Sequence, residues 1–127
     1  MRILPCAVLG ALVGAGAPAL ANRAEYDEAI LKLATAKGCM ACHTILPAPK
    51  RADGLPPIAP AWRDVAIKYR DDPRAPDRLT RTILMGSNPA SRHWAGKVSS
   101  VTMPPNDVVV SEADARMLVN WILVLVP

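Results

Sequence analysis

The chain is 127 residues long, carries a formal net charge of +4 and is 51% hydrophobic, yet it has no phenylalanine and only 4% aromatic residues. That length supports one domain, whose centre must be filled by something other than aromatic side chains. Thirteen prolines exclude a long regular sheet or coiled coil. No Lys/Arg run or basic stripe with interleaved aromatics occurs, which excludes nucleic acid as a partner, while the mild positive surplus suits an acidic protein.

Arg2 followed by the apolar or small stretch Ile3 to Leu20, and then Ala19-Leu20-Ala21, is the pattern of a secretory signal peptide. Residues 1–21 are read as that leader and 22–127 as the mature domain, beginning at Asn22. The competing reading is an uncleaved anchor. Three glycines and two prolines within the stretch oppose it. Export to the periplasm is expected, with no membrane span after cleavage. Cys6 leaves with the leader, so the mature chain keeps Cys39 and Cys42.

Glu25 to Lys37 predicts a first helix, with Tyr26, Ala29, Ile30, Leu33 and Ala34 at helical spacing. Gly38 then provides a permissive joint. Cys39-Met40-Ala41-Cys42-His43 follows, the Cys-x-x-Cys-His pattern of c-type haem attachment. Each thiol can add across a haem vinyl group to form a thioether, and the two-residue gap on a helical turn matches the spacing of the two vinyls. The adjoining imidazole lies under the ring, where it can bind iron. A zinc site fits less well, because His93 is the one further soft ligand and adjacent Cys-His geometry is awkward for a tetrahedron. A redox dithiol lacks its strand-helix-strand setting.

The proline-rich loop Thr44 to Pro60 is expected to wrap one haem edge, and a carbonyl near Ala59-Pro60 to accept a hydrogen bond from the non-ligating nitrogen of His43. Ala61 to Arg70 predicts a second helix and Pro76 to Met85 a third, whose Leu79, Ile83 and Leu84 are expected in the core. After the irregular stretch Ser87 to Val110, Ser111-Glu112-Ala113-Asp114 is a capping box. It opens a last helix to about Val126, buried through Ala115, Leu118, Val119, Ile122 and Val126. The fold class is therefore all-α, about four helices with irregular loops around one covalent haem.

A haem iron bound by one histidine keeps an open sixth position or takes a second protein ligand. Met40 lies inside the motif and cannot reach the opposite face. Met85 and Met117 fall on helices near apolar stripes, where methionine is ordinarily core filler. His93, in Ser91-Arg92-His93, has the setting of a solvated loop residue. Met103 sits in a loop stiffened by Pro104 and Pro105, which presents a thioether at low ordering cost. It is the preferred second ligand, with His93 as its rival.

Six blocks now stand in one order: Lys37 to His43, Ala59 to Ala66, Met85-Gly86-Ser87, Trp94-Ala95-Gly96, Met103-Pro104-Pro105-Asn106, and the helix through Trp121. Over residues 26–126 the chain resembles the small bacterial monohaem class I cytochromes c of the short periplasmic type. The resemblance implies that fold, with Met103 as distal ligand, Pro60 as the residue whose carbonyl accepts a hydrogen bond from the ligand histidine, Trp94 beside a haem propionate, and Trp121 where the first and last helices cross. Segments 50–54 and 89–101 are longer than the resemblance leads one to expect, which suggests a specialised docking surface. The implied function is a non-enzymatic electron carrier, a monomer whose redox donors and acceptors dock at the haem edge near Lys37, Lys50 and Arg51. The alternative is a dedicated subunit of a periplasmic dehydrogenase such as a molybdenum-type oxidoreductase.

Overall fold

The computed structural model describes residues 17–125, and the four helices in them follow from where the sequence offers a buried stripe and a way to end it. Helix α1 spans Ala17–Ala36, α2 Trp62–Tyr69, α3 Ala75–Met85 and α4 Glu112–Leu123, with one 3-10 turn at Cys39–Ala41. No strand occurs among the described residues. No described helix is long and apolar enough to cross a membrane. Arg2, Cys6 and most of the expected leader lie outside the described residues, as does Val126.

Each helix end is settled by a local device. At Gly38 the backbone turns left-handed (φ 76°), which halts α1, and its N–H donates to the Thr35 carbonyl at 3.0 Å. Helix α2 has no side-chain cap at its start. Its first two N–H groups, from Trp62 and Arg63, instead donate to the carbonyls of Thr44 and Ile45 at 2.9 and 3.0 Å. The chain just beyond His43 is thereby fastened to the start of α2. Helix α4 begins as the capping box predicts, with the Asp114 N–H donating to Ser111 Oγ at 3.1 Å.

Helix α4 is the element that touches all three others. Its Leu118, Trp121 and Ile122 join Ile30 and Ala34 of α1 and Trp62, Val65 and Tyr69 of α2 in one buried cluster. Trp121 stands edge-on to Trp62, their rings 5.7 Å apart at 89°. The buried indole N–H of Trp121 donates to Asp27 Oδ1 at 2.8 Å, which pins α4 to α1. The sequence reading placed an aromatic at this crossing; the acid that satisfies it comes from a position whose spacing reads only as solvent-facing.

That bond holds the Asp27 carboxyl below the usual carboxylate range, with smaller help from Arg23. A depressed carboxyl stabilises the fold in full above its unfolded pKa, and the contribution is lost as pH falls through the lower folded value. Asp27→Ala is therefore expected to lower the thermal midpoint at about pH 7. Its difference from the parent should vanish at about pH 2. A difference that persists in acid would mean that packing, not the charged hydrogen bond, matters at this position.

Three packing expectations are corrected. Leu79, Ile83 and Leu84 of α3 are half-buried rather than core, and Leu79 and Ile83 line a cavity. Met85 and Met117 are not core filler either: they are 65% and 42% exposed. Helix α4 ends at Leu123 and Val124 is about half exposed, so the apolar tail is not packed all round. The common cause is that helical spacing marks an apolar side without telling whether a helix or a bound group will cover it.

Candidate functional site

His43 is placed by three successive local structures. Helix α1 ends at Gly38, the 3-10 turn follows, and the N–H groups of Cys42 and His43 both turn back to the Cys39 carbonyl, at 3.3 and 3.1 Å. This single turn puts both cysteines and the histidine on the wall of one cavity of about 280 Å³. The wall of the same cavity also carries Met103, and Val65, Tyr69, Leu79 and Ile83 supply apolar lining. Trp94 is also on this wall, so all six site residues expected from the sequence line or border the same space.

The imidazole is fixed on two sides. Its Nδ1 lies 2.8 Å from the Pro60 carbonyl oxygen. A carbonyl can only accept, so Nδ1 carries the proton and the lone pair is on Nε2. The ring stacks on Trp62 at 5.8 Å and 25°. Burial pushes the imidazole below the ordinary histidine range, against the opposing pull of the Pro60 carbonyl, so the neutral form that can donate to a metal is favoured. The carbonyl hydrogen bond orients the ring and raises its basicity as a ligand.

Neither cysteine is in a disulfide. Burial pushes the Cys39 thiol up, away from the thiolate character that a redox dithiol requires. Among the described residues no group of three or more His, Cys, Asp or Glu is arranged to hold a metal ion. Two thiols on one turn, one imidazole with a free nitrogen and a thioether lining the same apolar cavity are a donor set that fits a covalently attached haem.

The Met103 loop is held by contacts that sequence reasoning passed over. Ser87 Oγ accepts the Met103 N–H at 2.9 Å, and the Ser87 N–H donates to the Met103 carbonyl, also at 2.9 Å. Asn106 Nδ2 donates to the carbonyls of Ile83 and Pro104 at 3.0 and 2.8 Å, and the Asn106 N–H donates to Leu84 at 2.9 Å. The carbonyls left open at the end of α3 thus secure the loop. Gly86 lets the two segments touch: a Cβ there would meet the Met103 oxygen at 2.7 Å and the Pro105 nitrogen at 2.9 Å. The signals were present as Met85-Gly86-Ser87 and Asn106, but their pairing across the chain was not.

Other expectations change. His93 is exposed but not simply solvated: its Nδ1 lies 2.6 Å from the Tyr69 hydroxyl. Trp94 carries Lys68 Nζ over its ring, 5.2 Å from the centroid. Of the three basic residues expected to steer docking at the haem edge, Lys37 is half-buried and pairs with Asp114 at 3.9 Å, and Arg51 pairs with Asp53 at 2.7 Å. Lys50 belongs to a separate groove.

Comparison with known proteins agrees with this geometry. The chain is 39% identical to cytochrome c-551 of Allochromatium vinosum over 93 residues, which are 73% of this chain and 82% of that one. It is 36% identical to cytochrome c-552 of Nitrosomonas europaea over 102 residues, 80% of this chain and 84% of that one. The crystal structure of wild-type Nitrosomonas europaea cytochrome c552 superposes with a TM-score of 0.58 at 37% identity, covering 75% of this chain and 98% of that one. No family model matches the chain. Helices without a sheet, a Cys-x-x-Cys-His turn on an apolar cavity and these relatives together lead to one assignment: the chain belongs to the small monohaem class I cytochromes c, periplasmic proteins that carry single electrons on a covalent haem c and are not themselves enzymes.

Proposed function

We propose that Cys39 and Cys42 hold the haem by thioethers, that His43 and Met103 bind the iron from opposite faces, and that the mature protein, residues 22–127, works as a free monomeric carrier. One observation carries the ligand assignment: Cys39, Cys42, His43 and Met103 line a single cavity, and the Pro60 carbonyl leaves only Nε2 of His43 free to bind. The haem, when bound, supplies an iron that takes up and gives back one electron.

The protein's own part is to hold the two ligands still and keep the surroundings apolar. Pro60 and Trp62 set the His43 ring, while Ser87, Asn106 and the paired prolines hold the Met103 loop. His43 and Met103 would hold the iron between them and leave no place on it for a substrate, and their fixed settings would let little move when the charge changes. Apolar walls disfavour the more highly charged oxidised centre, and together with methionine ligation this raises the reduction potential. Trp94, on the cavity wall, is assigned to the propionate edge. From residue 22 onward the first buried residue of α1 is Ile30, so the buried face that the mature chain keeps begins well inside it.

Expression with haem-maturation machinery and export tests the reading. The expected product has Asn22 at its N-terminus, runs as a monomer, and keeps its haem through acid acetone. Haem extracted by that treatment would sink the thioether assignment, and stable co-purification with a larger dehydrogenase would replace the free carrier by the subunit reading.

A further inference from the structure

Outside the haem cavity the molecule has a second concavity, a groove of about 500 Å³ between the loop after the motif, the outer face of α2 and the segment around Trp94. Three exposed lysines from three separate segments, Lys50, Lys68 and Lys97, line it against one carboxylate, Asp64. Among the described residues none of the three makes an ion pair.

The groove is built and not incidental. Lys50 and Lys97 lie on the two segments that are longer than expected, and Ser99 ties the second of these to the proline-rich loop that carries the first. The Ser99 N–H donates to Pro57 at 2.9 Å and its hydroxyl donates to Ile58 at 3.0 Å. Pro47, Pro57 and Pro60 stiffen the floor, so little ordering entropy opposes binding. Lys68 is steadied over Trp94.

The groove also shares a wall with the haem cavity. Ala59, Pro60, Trp94 and Val98 line both. A partner seated in the groove is separated from His43 by the Pro60 peptide, whose carbonyl already receives the His43 Nδ1 hydrogen bond. Positive charge therefore collects beside the part of the wall that carries Pro60, the hydrogen-bond partner of His43.

We propose that this groove docks an acidic, extended segment of a redox-partner protein. The proposal rests on the carrier reading above and adds to it the docking face and the partner's charge. Carboxylates of the partner meet Lys50, Lys68 and Lys97. The contact is small and salt-sensitive, as suits a transient electron-transfer encounter.

The test titrates isotope-labelled, reduced holoprotein at low salt with a short synthetic peptide of alternating glutamate and alanine, followed by amide chemical shifts. Shifts should cluster at Lys50, Lys68, Trp94 and Lys97. The triple variant K50E/K68E/K97E should weaken binding by about tenfold or more. The same charge change at Lys32, Arg70 and Arg81 should weaken it much less. If charge reversal impairs folding, K50Q/K68Q/K97Q should still give a clear loss. Equal losses in the two triple variants, or shifts centred elsewhere, would overturn the proposal. Phosphatidylglycerol vesicles that occupy the groove in preference to the peptide would also overturn it, in favour of a lipid surface. The near-infrared absorption band separates this outcome from the ligand assignment: an intact band with an unshifted groove defeats the groove alone, and an absent band with a shifted groove defeats only Met103.

Discussion

Replacement of Met103 by alanine is expected to abolish the weak near-infrared absorption that sulfur-to-iron ligation produces and to lower the reduction potential. The drop should be on the order of tenths of a volt, within the roughly 0.8 V over which axial ligands move haem potentials. The size follows from what Met103 is asked to do. A thioether is a weak donor that favours the reduced metal, and water or a stray nitrogen in its place favours the oxidised one. Little else on that wall can substitute: Met85 is 65% exposed, and His93 is engaged with Tyr69. The setting of His43 should be unaffected, since its contacts to Pro60 and Trp62 do not involve Met103. Visible spectroscopy and voltammetry read both effects. A parent protein lacking the near-infrared band, or a variant with an unchanged potential, would remove Met103 from the iron.

Gly86→Ala should cost about 2–5 kcal/mol in stability and weaken the same band without touching any ligand. Two penalties add. Gly86 has φ 78° and ψ 173°, a backbone region open essentially to glycine alone. Its added methyl would also press on the Met103 oxygen, the Pro105 nitrogen and the Pro104 carbonyl carbon at 2.7, 2.9 and 3.0 Å. These are backbone atoms, held by Ser87 and Asn106, and they cannot swing aside as a flexible side-chain tip would. The methionine loop must therefore back away from α3. Thermal unfolding gives the stability loss, and the near-infrared band reports the displaced sulfur. A variant as stable as the parent with a full band would show that the loop is not held by this close approach.

The two experiments separate ligand from support. Met103→Ala removes the sulfur and leaves its scaffold, whereas Gly86→Ala keeps the sulfur and disturbs the backbone that presents it. A band lost in the first and only weakened in the second is the pattern expected of a ligand on a clamped loop.

Much of this protein was legible from residues alone because its chemistry is local. Cys39, Cys42 and His43 lie within one turn, and three neighbouring residues on a turn need no tertiary information to be recognised as a unit. The start of α4 was equally local, since Ser111 and the Asp114 N–H are three residues apart. The Pro60 carbonyl could be anticipated because a proline-rich loop returning from His43 has few places to turn back. Helical spacing marked the apolar faces of α2 and α4 correctly, as Trp62, Val65, Tyr69, Leu118 and Ile122 are buried against other helices.

What only the tertiary structure decided has one physical source: partners far apart in the chain meet for reasons that no local pattern contains. Asp27 reads as a solvent-facing acid until Trp121, 94 residues later, donates to it. Leu79 and Ile83 read as core until α3 is seen to face the haem cavity. Ser87, Gly86 and Asn106 read as turn residues until the Met103 loop is found clamped to the end of α3. Lys50 reads as a neighbour of Lys37 and Arg51 until three segments bring it together with Lys68 and Lys97 around one groove. Sequence spacing carried the haem attachment and the class of fold, because covalent chemistry and helix periodicity act within a few residues. The clamp on the Met103 loop and the lysine-lined groove had to wait for the folded chain, because close approach and summed charge exist only between segments.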